Sequence, residues 1–189
     1  MSRGACVTYL IGGSIAAYKS AEIVREMIKR EMEVRVVMSK RATEFITPLT
    51  LQTLSANPVV VDLFELDRES EINHIKLADG ADVVLSAPTT ANLIAKAACG
   101  LADDAPSTLL LAAQAPVIMA PAMNVNMWRH PATQRNVSVL KERGVRFVGP
   151  EEGTLACGWH ATGRLAETSR IIEELECVLR LERVPVLEV

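Results

Sequence analysis

Two asparagines, two methionines, a tryptophan and a proline fall within eight residues, PAMNVNMW (121–128), directly after an apolar run, Ala115 to Ala120, that reads as a buried strand. A chain leaving its core has no packing reason to concentrate such side chains there. Three other groups could do chemistry. Gly12, Gly13 and Ser14 close one strand and open a helix; a glycine turn, a serine and a helix N-terminus suit a single phosphate, unless the turn is purely structural. His74, one of three histidines, has the near-neutral pKa that proton transfer needs, although a lone histidine more often packs or faces solvent than catalyses. Cys157 and His160 share a glycine-containing loop, a poor metal set with no second pair, so no metal is expected. Met119, Met123 and Met127 read as packing rather than as sulfur ligands. GxGxxG is not satisfied, and no acidic residue at Val37 or Met38 ends the second strand to hold a ribose, which disfavours NAD. Ser14 also lacks the GxSxG elbow of a hydrolase.

These groups need a frame. ACVTYLI (5–11) reads as a buried strand, residues 15–30 as a helix and EVRVVM (33–38) as a second strand, the βαβ signature of a parallel sheet. Ser39 is an expected N-cap for short helical pieces, and Pro48 suits the first turn of the next helix. DVVLSAP (82–88) and APVIMAP (115–121) read as strands three and four, with TTANLIAKAACG (89–100) between them a helix stopped by Gly100. PATQRNVSVLKERG (131–144) is a further helix, VRFVG (145–149) a fifth strand and SRIIEELECVLRL (169–181) an amphipathic closing helix. The intervening PEEGTLACGWHATGRLAET (150–168) is too long for an ordinary connection and is expected to be a functional loop. The pattern predicts an α/β fold, a three-layer Rossmann-like doubly wound parallel sheet in one domain over 1–189. The turns GGSIA, SKR, SAPTTAN and APAMN would meet at its carboxyl rim, where such sheets bind ligands.

Composition excludes other classes. Aromatic residues make up 4% and the apolar set is mainly aliphatic, which suits a sheet covered on both faces. A net charge of -3 without a basic block argues against nucleic acid as a partner. The apolar stretch before Gly12 is too short to span a membrane and lacks a cleavage site, so a cytoplasmic chain with no membrane partner is expected. Cys6, Cys99, Cys157 and Cys177 are widely spaced, with no CxxC pair, and suggest no disulfide framework.

GSIAAYK, HIKLADGAD followed by APTTANLIAKAACGLADD, PAMNVNMW and LACG with a later GR occur here in one order. Together, over roughly residues 5 to 180, they resemble the homo-oligomeric flavin-containing cysteine decarboxylases, in particular those acting in coenzyme A biosynthesis. The resemblance implies FMN held by Gly13, Ser14 and Ile15 at its phosphate, with Ser39, Phe45, Thr89, Thr90, Ala91, Asn92 and Ala122 around the rest. It implies that Asn124 binds the carboxylate of the cysteine moiety beside Ala122 and Met123, with Gly158 and Arg164 retained from the substrate clamp at 150–168. His74 would be the catalytic histidine and Cys157 the acid completing the reaction.

The implied reaction converts 4'-phosphopantothenoylcysteine to 4'-phosphopantetheine and CO2. The thiol is oxidised to a thioaldehyde, CO2 leaves into that electron sink, and the enethiolate is reduced, with no NADPH and no metal required. Trimers or dodecamers would follow, with the apolar stretch 47–61 a candidate for pairing. The chain departs from the family where Trp159, His160, Ala161 and Thr168 replace residues of the clamp. No ligase domain of the kind that many bacterial members carry is expected within 1–189. A peptidyl-cysteine decarboxylase of lantibiotic maturation and a non-catalytic flavin-binding regulatory subunit are the alternatives.

Overall fold

The computed structural model describes residues 4–63, 79–154 and 158–182. Along the chain run β1 (Cys6–Ile11), α1 (Ser20–Lys29), β2 (Glu33–Met38), α2 (Pro48–Ser55), β3 (Val83–Thr89), α3 (Ala91–Cys99) and α4 (Ala105–Ala112). There follow β4 (Val117–Pro121), α5 (Val125–Arg129), α6 (Pro131–Glu142), β5 (Arg146–Phe147), β6 (Glu151–Thr154), β7 (His160–Arg164) and α7 (Thr168–Glu182). β1 to β5 form one sheet in the order β2-β1-β3-β4-β5, with every neighbouring pair parallel. All residues of β1 and β3 are buried, which is why both read as near-continuous apolar runs.

Alternation along β1 divides the core. Val7, Tyr9 and Ile11 join Ile23, Val24 and Met27 of α1, Leu51 of α2 and Ile171, Ile172 and Leu175 of α7 on one face. Leu10 turns the other way, onto Leu109 of α4, and Met119 of β4 meets Ile94 of α3 and Leu140 of α6 on that same side. The result is the expected α/β architecture, a parallel sheet between two helical layers. The apolar stretch 47–61 is used internally only in part, and Leu49 keeps 70% of its surface exposed. Leu51 and Val59 are buried, and Val60 pairs with the edge of β2 through Met38 N–H to Val60 O at 2.8 Å and Val60 N–H to Val36 O at 3.0 Å.

Several boundaries differ from the sequence reading. The first helix is two pieces, a 3-10 turn over Ile15–Lys19 capped by Ser14, and then α1. The fifth strand covers only Arg146–Phe147, because Gly149 takes a positive φ of 77° and turns the chain away. The long connection 150–168 is not an irregular loop: β6 and β7 pair as an antiparallel hairpin, and Thr168 already belongs to α7. α4 is an additional helix, opened by a capping box in which Asp104 and Ser107 satisfy each other's backbone N–H groups.

Tyr9 ties this frame to the rim. Its fully buried hydroxyl donates to the Ala87 carbonyl at 2.6 Å, across to the end of β3. Burial pushes the phenol far above its usual value, against the pull of a Ser20 hydroxyl contact, so the group remains a neutral donor. Removing it in Tyr9→Phe leaves a buried carbonyl without that partner, and a loss of about 1–3 kcal/mol is expected. Urea unfolding followed by circular dichroism measures it, and an unchanged midpoint would show that the bond does not support the fold.

Candidate functional site

β1 and β3 are hydrogen-bonded neighbours, yet the helices that follow them lie on opposite faces of the sheet. Their connections diverge and leave a crevice at the carboxyl ends, the topological switch point of a doubly wound sheet. Two glycines let the surrounding turns close tightly. Gly12 N–H donates to Pro88 O at 3.0 Å, and a Cβ on Gly12 would lie 2.8 Å from that oxygen. A Cβ on Gly13 would overlap the Cβ of Arg41 and come within 3.0 Å of its carbonyl carbon. No side chain fits at either position without moving the β2 or β3 connection.

The crevice contains a cleft of about 550 Å³. Three turns enter it behind hydroxyl caps: Ser14 Oγ accepts from Ala16 N–H at 3.3 Å, Ser39 Oγ from Ala42 N–H at 3.2 Å and Thr90 Oγ1 from Leu93 N–H at 3.2 Å. Of the expected cofactor residues, Gly13, Ser14, Ile15, Ser39, Phe45, Thr90, Ala91, Asn92 and Ala122 all line it. Thr89 does not. It is fully buried as the last residue of β3, its hydroxyl donating to the Ser86 carbonyl at 2.7 Å and its carbonyl accepting from Ala122 N–H at 3.1 Å. Thr89 braces the exits of β3 and β4 where their register shifts. Ile15, Phe45 and Met127, also on the cleft wall, keep 56%, 44% and 50% of their surface exposed. Capped N–H turns beside exposed apolar walls fit a ligand with an anionic tail and a flat ring.

A second cleft, also about 550 Å³, adjoins the first and shares Ser14, Ile15, Ala122 and Met123 with it. Its own lining includes Asn124, Arg164, Tyr18, Lys19 and Thr154. The expected substrate residues Ala122, Met123, Asn124 and Arg164 are therefore brought together. Gly158 is exposed, with a φ of 83°, and lines neither cleft. His74 and Cys157 lie outside the described residues. Asn124 has a structural task as well: it is the N-cap of α5, its Oδ1 accepting from Asn126 N–H at 2.8 Å. Lys19 and Tyr18 were missed as site residues, although they stand inside the quoted GSIAAYK motif.

The hairpin is bound to this wall. Met123 N–H donates to Gly163 O at 3.0 Å. Arg164 reaches Glu167 at 2.6 Å and Glu151 at 3.2 Å, while Arg170 takes the other oxygen of Glu151 at 2.8 Å. Burial opposes ionisation of Glu151, but Arg170, the backbone at Glu167 and Arg164 outweigh it and hold the carboxyl below its ordinary range.

The flavoprotein family model matches residues 1–179. The chain belongs to the flavoprotein family. It is 46% identical over 170 residues to the coenzyme A biosynthesis bifunctional protein CoaBC of Bacillus subtilis, covering 90% of this chain and 42% of that protein. Against the protein of the same name from Escherichia coli it is 45% identical over 163 residues, 86% of this chain and 40% of the relative. The chain thus spans about two-fifths of the length of these relatives. Among solved flavoprotein structures, a PPC decarboxylase mutant complexed with pantothenoylaminoethenethiol superposes with a TM-score of 0.85 at 31% identity, over 94% of this chain and 100% of that one. The FMN-dependent cysteine decarboxylase SpaF gives 0.84 at 31%, over 95% and 98%. The FMN-binding protein AtHal3 gives 0.81 at 32%, over 93% and 96%.

The Glu151 network yields a pH prediction. A carboxyl whose folded pKa lies below its unfolded value stabilises the fold above the unfolded value, and that stability is lost as pH falls through the folded one. Glu151→Gln should therefore lower the melting temperature at neutral pH and flatten its acid limb below the ordinary glutamate range. Melting curves across that range test this; an acid limb as steep as the wild type's would remove Glu151 from the account.

Proposed function

We propose that the chain catalyses the FMN-dependent decarboxylation of 4'-phosphopantothenoylcysteine to 4'-phosphopantetheine and CO2, a step of coenzyme A biosynthesis. The observation that carries this reading is the common wall of Ser14, Ile15, Ala122 and Met123 between two clefts. One cleft gathers the residues expected to hold a flavin, and the other gathers Asn124 and Arg164. A ligand in each would meet across that wall, where the substrate thiol must come close to the cofactor. FMN, when bound, supplies a hydride acceptor for the cysteine side chain and returns the hydride later, so no external reductant is consumed.

In this reading the protein's own groups orient substrate and move protons. Asn124 presents its amide to the substrate carboxylate while its oxygen caps α5, so helix and amide are positioned together. Arg164, fixed by Glu151 and Glu167, faces the second cleft from the hairpin. His74 takes the thiol proton as the thioaldehyde forms, and its near-neutral unperturbed pKa suits that task. Cys157 returns a proton to the enethiolate left by CO2. Both roles follow from the family resemblance. The hairpin closes over the substrate and excludes water.

The same reading takes the chain as a homo-oligomer, a trimer or dodecamer, in which Ile15, Tyr18, Phe45 and Met127, exposed around the clefts, would be covered by neighbouring subunits. It also takes the chain as cytoplasmic, partnered by a ligase activity, fused or separate, that joins cysteine to the phosphorylated pantothenate. Among the described residues no helix is long and apolar enough to cross a membrane.

A second reading within the cysteine decarboxylases has one observation in its favour: SpaF, an FMN-dependent cysteine decarboxylase, superposes about as closely as the PPC decarboxylase. A peptidyl-cysteine decarboxylase would release the enethiol without reducing it. Mass spectrometry of the product from anaerobic incubation with 4'-phosphopantothenoylcysteine separates the two. A product lighter by CO2 alone is expected; one lighter by CO2 and a further two hydrogens, with bleached flavin, would mean that the reaction stops at the enethiol, and unchanged substrate would overturn the proposal.

Asn124→Asp gives the sharpest site test. Asp caps a helix about as well as Asn, so α5 and flavin content should survive, while a negative charge facing the substrate carboxylate should abolish turnover. Wild-type rates in that variant would remove Asn124 from the substrate site.

A further inference from the structure

Cations around the first cleft are not equivalent. Lys40, Arg41 and Lys96 all contribute to its lining. Lys96 is committed: its ammonium lies 2.6 Å from both Asp103 and Asp104. Burial works against that charge, but the two carboxylates outweigh it and raise the lysine above its usual pKa. The cluster of one cation and two anions is net negative and offers nothing to another anion. Lys40 is largely exposed and stands 3.7 Å from Asp62. Arg41 has no ionic or hydrogen-bonded side-chain partner among the described residues.

Its position matters as much as its freedom. Arg41 follows the Ser39 cap, and its backbone and Cβ occupy the space that a side chain on Gly13 would need. It therefore stands where the turns after β1 and β2 touch, next to Ser14 and Ser39, whose hydroxyls already accept hydrogen bonds from their own turns. Those turns offer only neutral donors. A phosphate monoester carries close to two negative charges near neutrality, and a guanidinium matches its oxygens with paired N–H donors.

We propose that Arg41 supplies the positive charge that holds the terminal phosphate of the flavin, making this cleft select FMN over the unphosphorylated flavin. This rests on the reading of the first cleft as the flavin site and does not depend on the substrate decarboxylated. The charge acts on the phosphate and not on the ring. Its loss therefore weakens FMN binding specifically, and added salt screens it.

The test is flavin-fluorescence quenching on flavin-depleted protein titrated separately with FMN and with riboflavin over a range of KCl. Wild type should bind FMN more tightly, with an FMN Kd that rises with salt and a riboflavin Kd that does not. Arg41→Ala should weaken FMN by about tenfold to a hundredfold, leave riboflavin within about twofold, and flatten the salt dependence; Arg41→Lys should restore part of the loss, and Lys40→Ala should do much less. Equal weakening of both flavins, or an unchanged FMN to riboflavin ratio, overturns the role of Arg41. Should the variants fail to fold, the wild-type salt series still decides, because an FMN Kd independent of KCl overturns the proposal. Wild-type protein that binds neither flavin would instead sink the flavin assignment of the cleft itself.

Discussion

Everything at the rim depends on how closely the turns after β1, β2 and β3 approach one another. Parallel pairing of β1 with β3 brings their ends side by side, and helices leaving on opposite faces pull the connections apart. Gly12 and Gly13 set how narrow the resulting crevice is. With hydrogen in place of Cβ, one turn hydrogen-bonds to Pro88 and packs under Arg41 at the same time. An alanine at either position would collide with backbone rather than with a flexible side-chain end, so the cost would fall on the position of a whole turn. These glycines are required by close approach, not by an unusual φ.

Much of this was legible in the sequence because burial on both faces leaves a plain signature. β1 and β3 read as apolar runs, and Ser14, Ser39 and Thr90 sit where caps should be. What was not legible has physical causes. The 3-10 turn over Ile15–Lys19 has the same apolar spacing as the first turn of an α-helix, and only its hydrogen bonding distinguishes them. The β6 and β7 strands, EEGT and HATGR, carry little hydrophobic alternation, because the hairpin is only partly buried and its two buried positions are the glycines Gly153 and Gly163. α4 could have been found: Asp104, Pro106 and Ser107 are an N-cap, an early proline and a capping-box partner in sequence order.

Within the site, motifs served better for groups that face the clefts than for those that brace them. Thr89 and Thr90 are adjacent and alike, yet alternation at the end of β3 buries the first and turns the second into a cap over the cleft. No pattern of residue types separates them; the pleat of the strand does. Lys19 and Arg41 escaped notice for a related reason. A surface lysine or arginine is ordinary in any helix or turn, and what marks these two is the lining of a cleft, which only the tertiary arrangement reveals.

The PAMNVNMW segment joins these levels. Its first residues end β4, Ala122 hydrogen-bonds to the β3 exit, Met123 to β7, and Asn124 caps α5. The partition between the clefts is thus anchored to two strands, a hairpin and a helix within four residues. Arg164, next to the Gly163 that receives the Met123 bond, ties β7 to Glu151 of β6 and to Glu167 just beyond the hairpin, while Arg170 of α7 holds the other oxygen of Glu151. A displacement of the hairpin therefore cannot leave Met123 in place unless the Gly163 bond breaks. This mechanical coupling gives such a segment a reason to combine amides with apolar groups at a strand exit: its backbone must be fixed as a wall while its amides remain polar contacts, and the short capped helix α5 serves both.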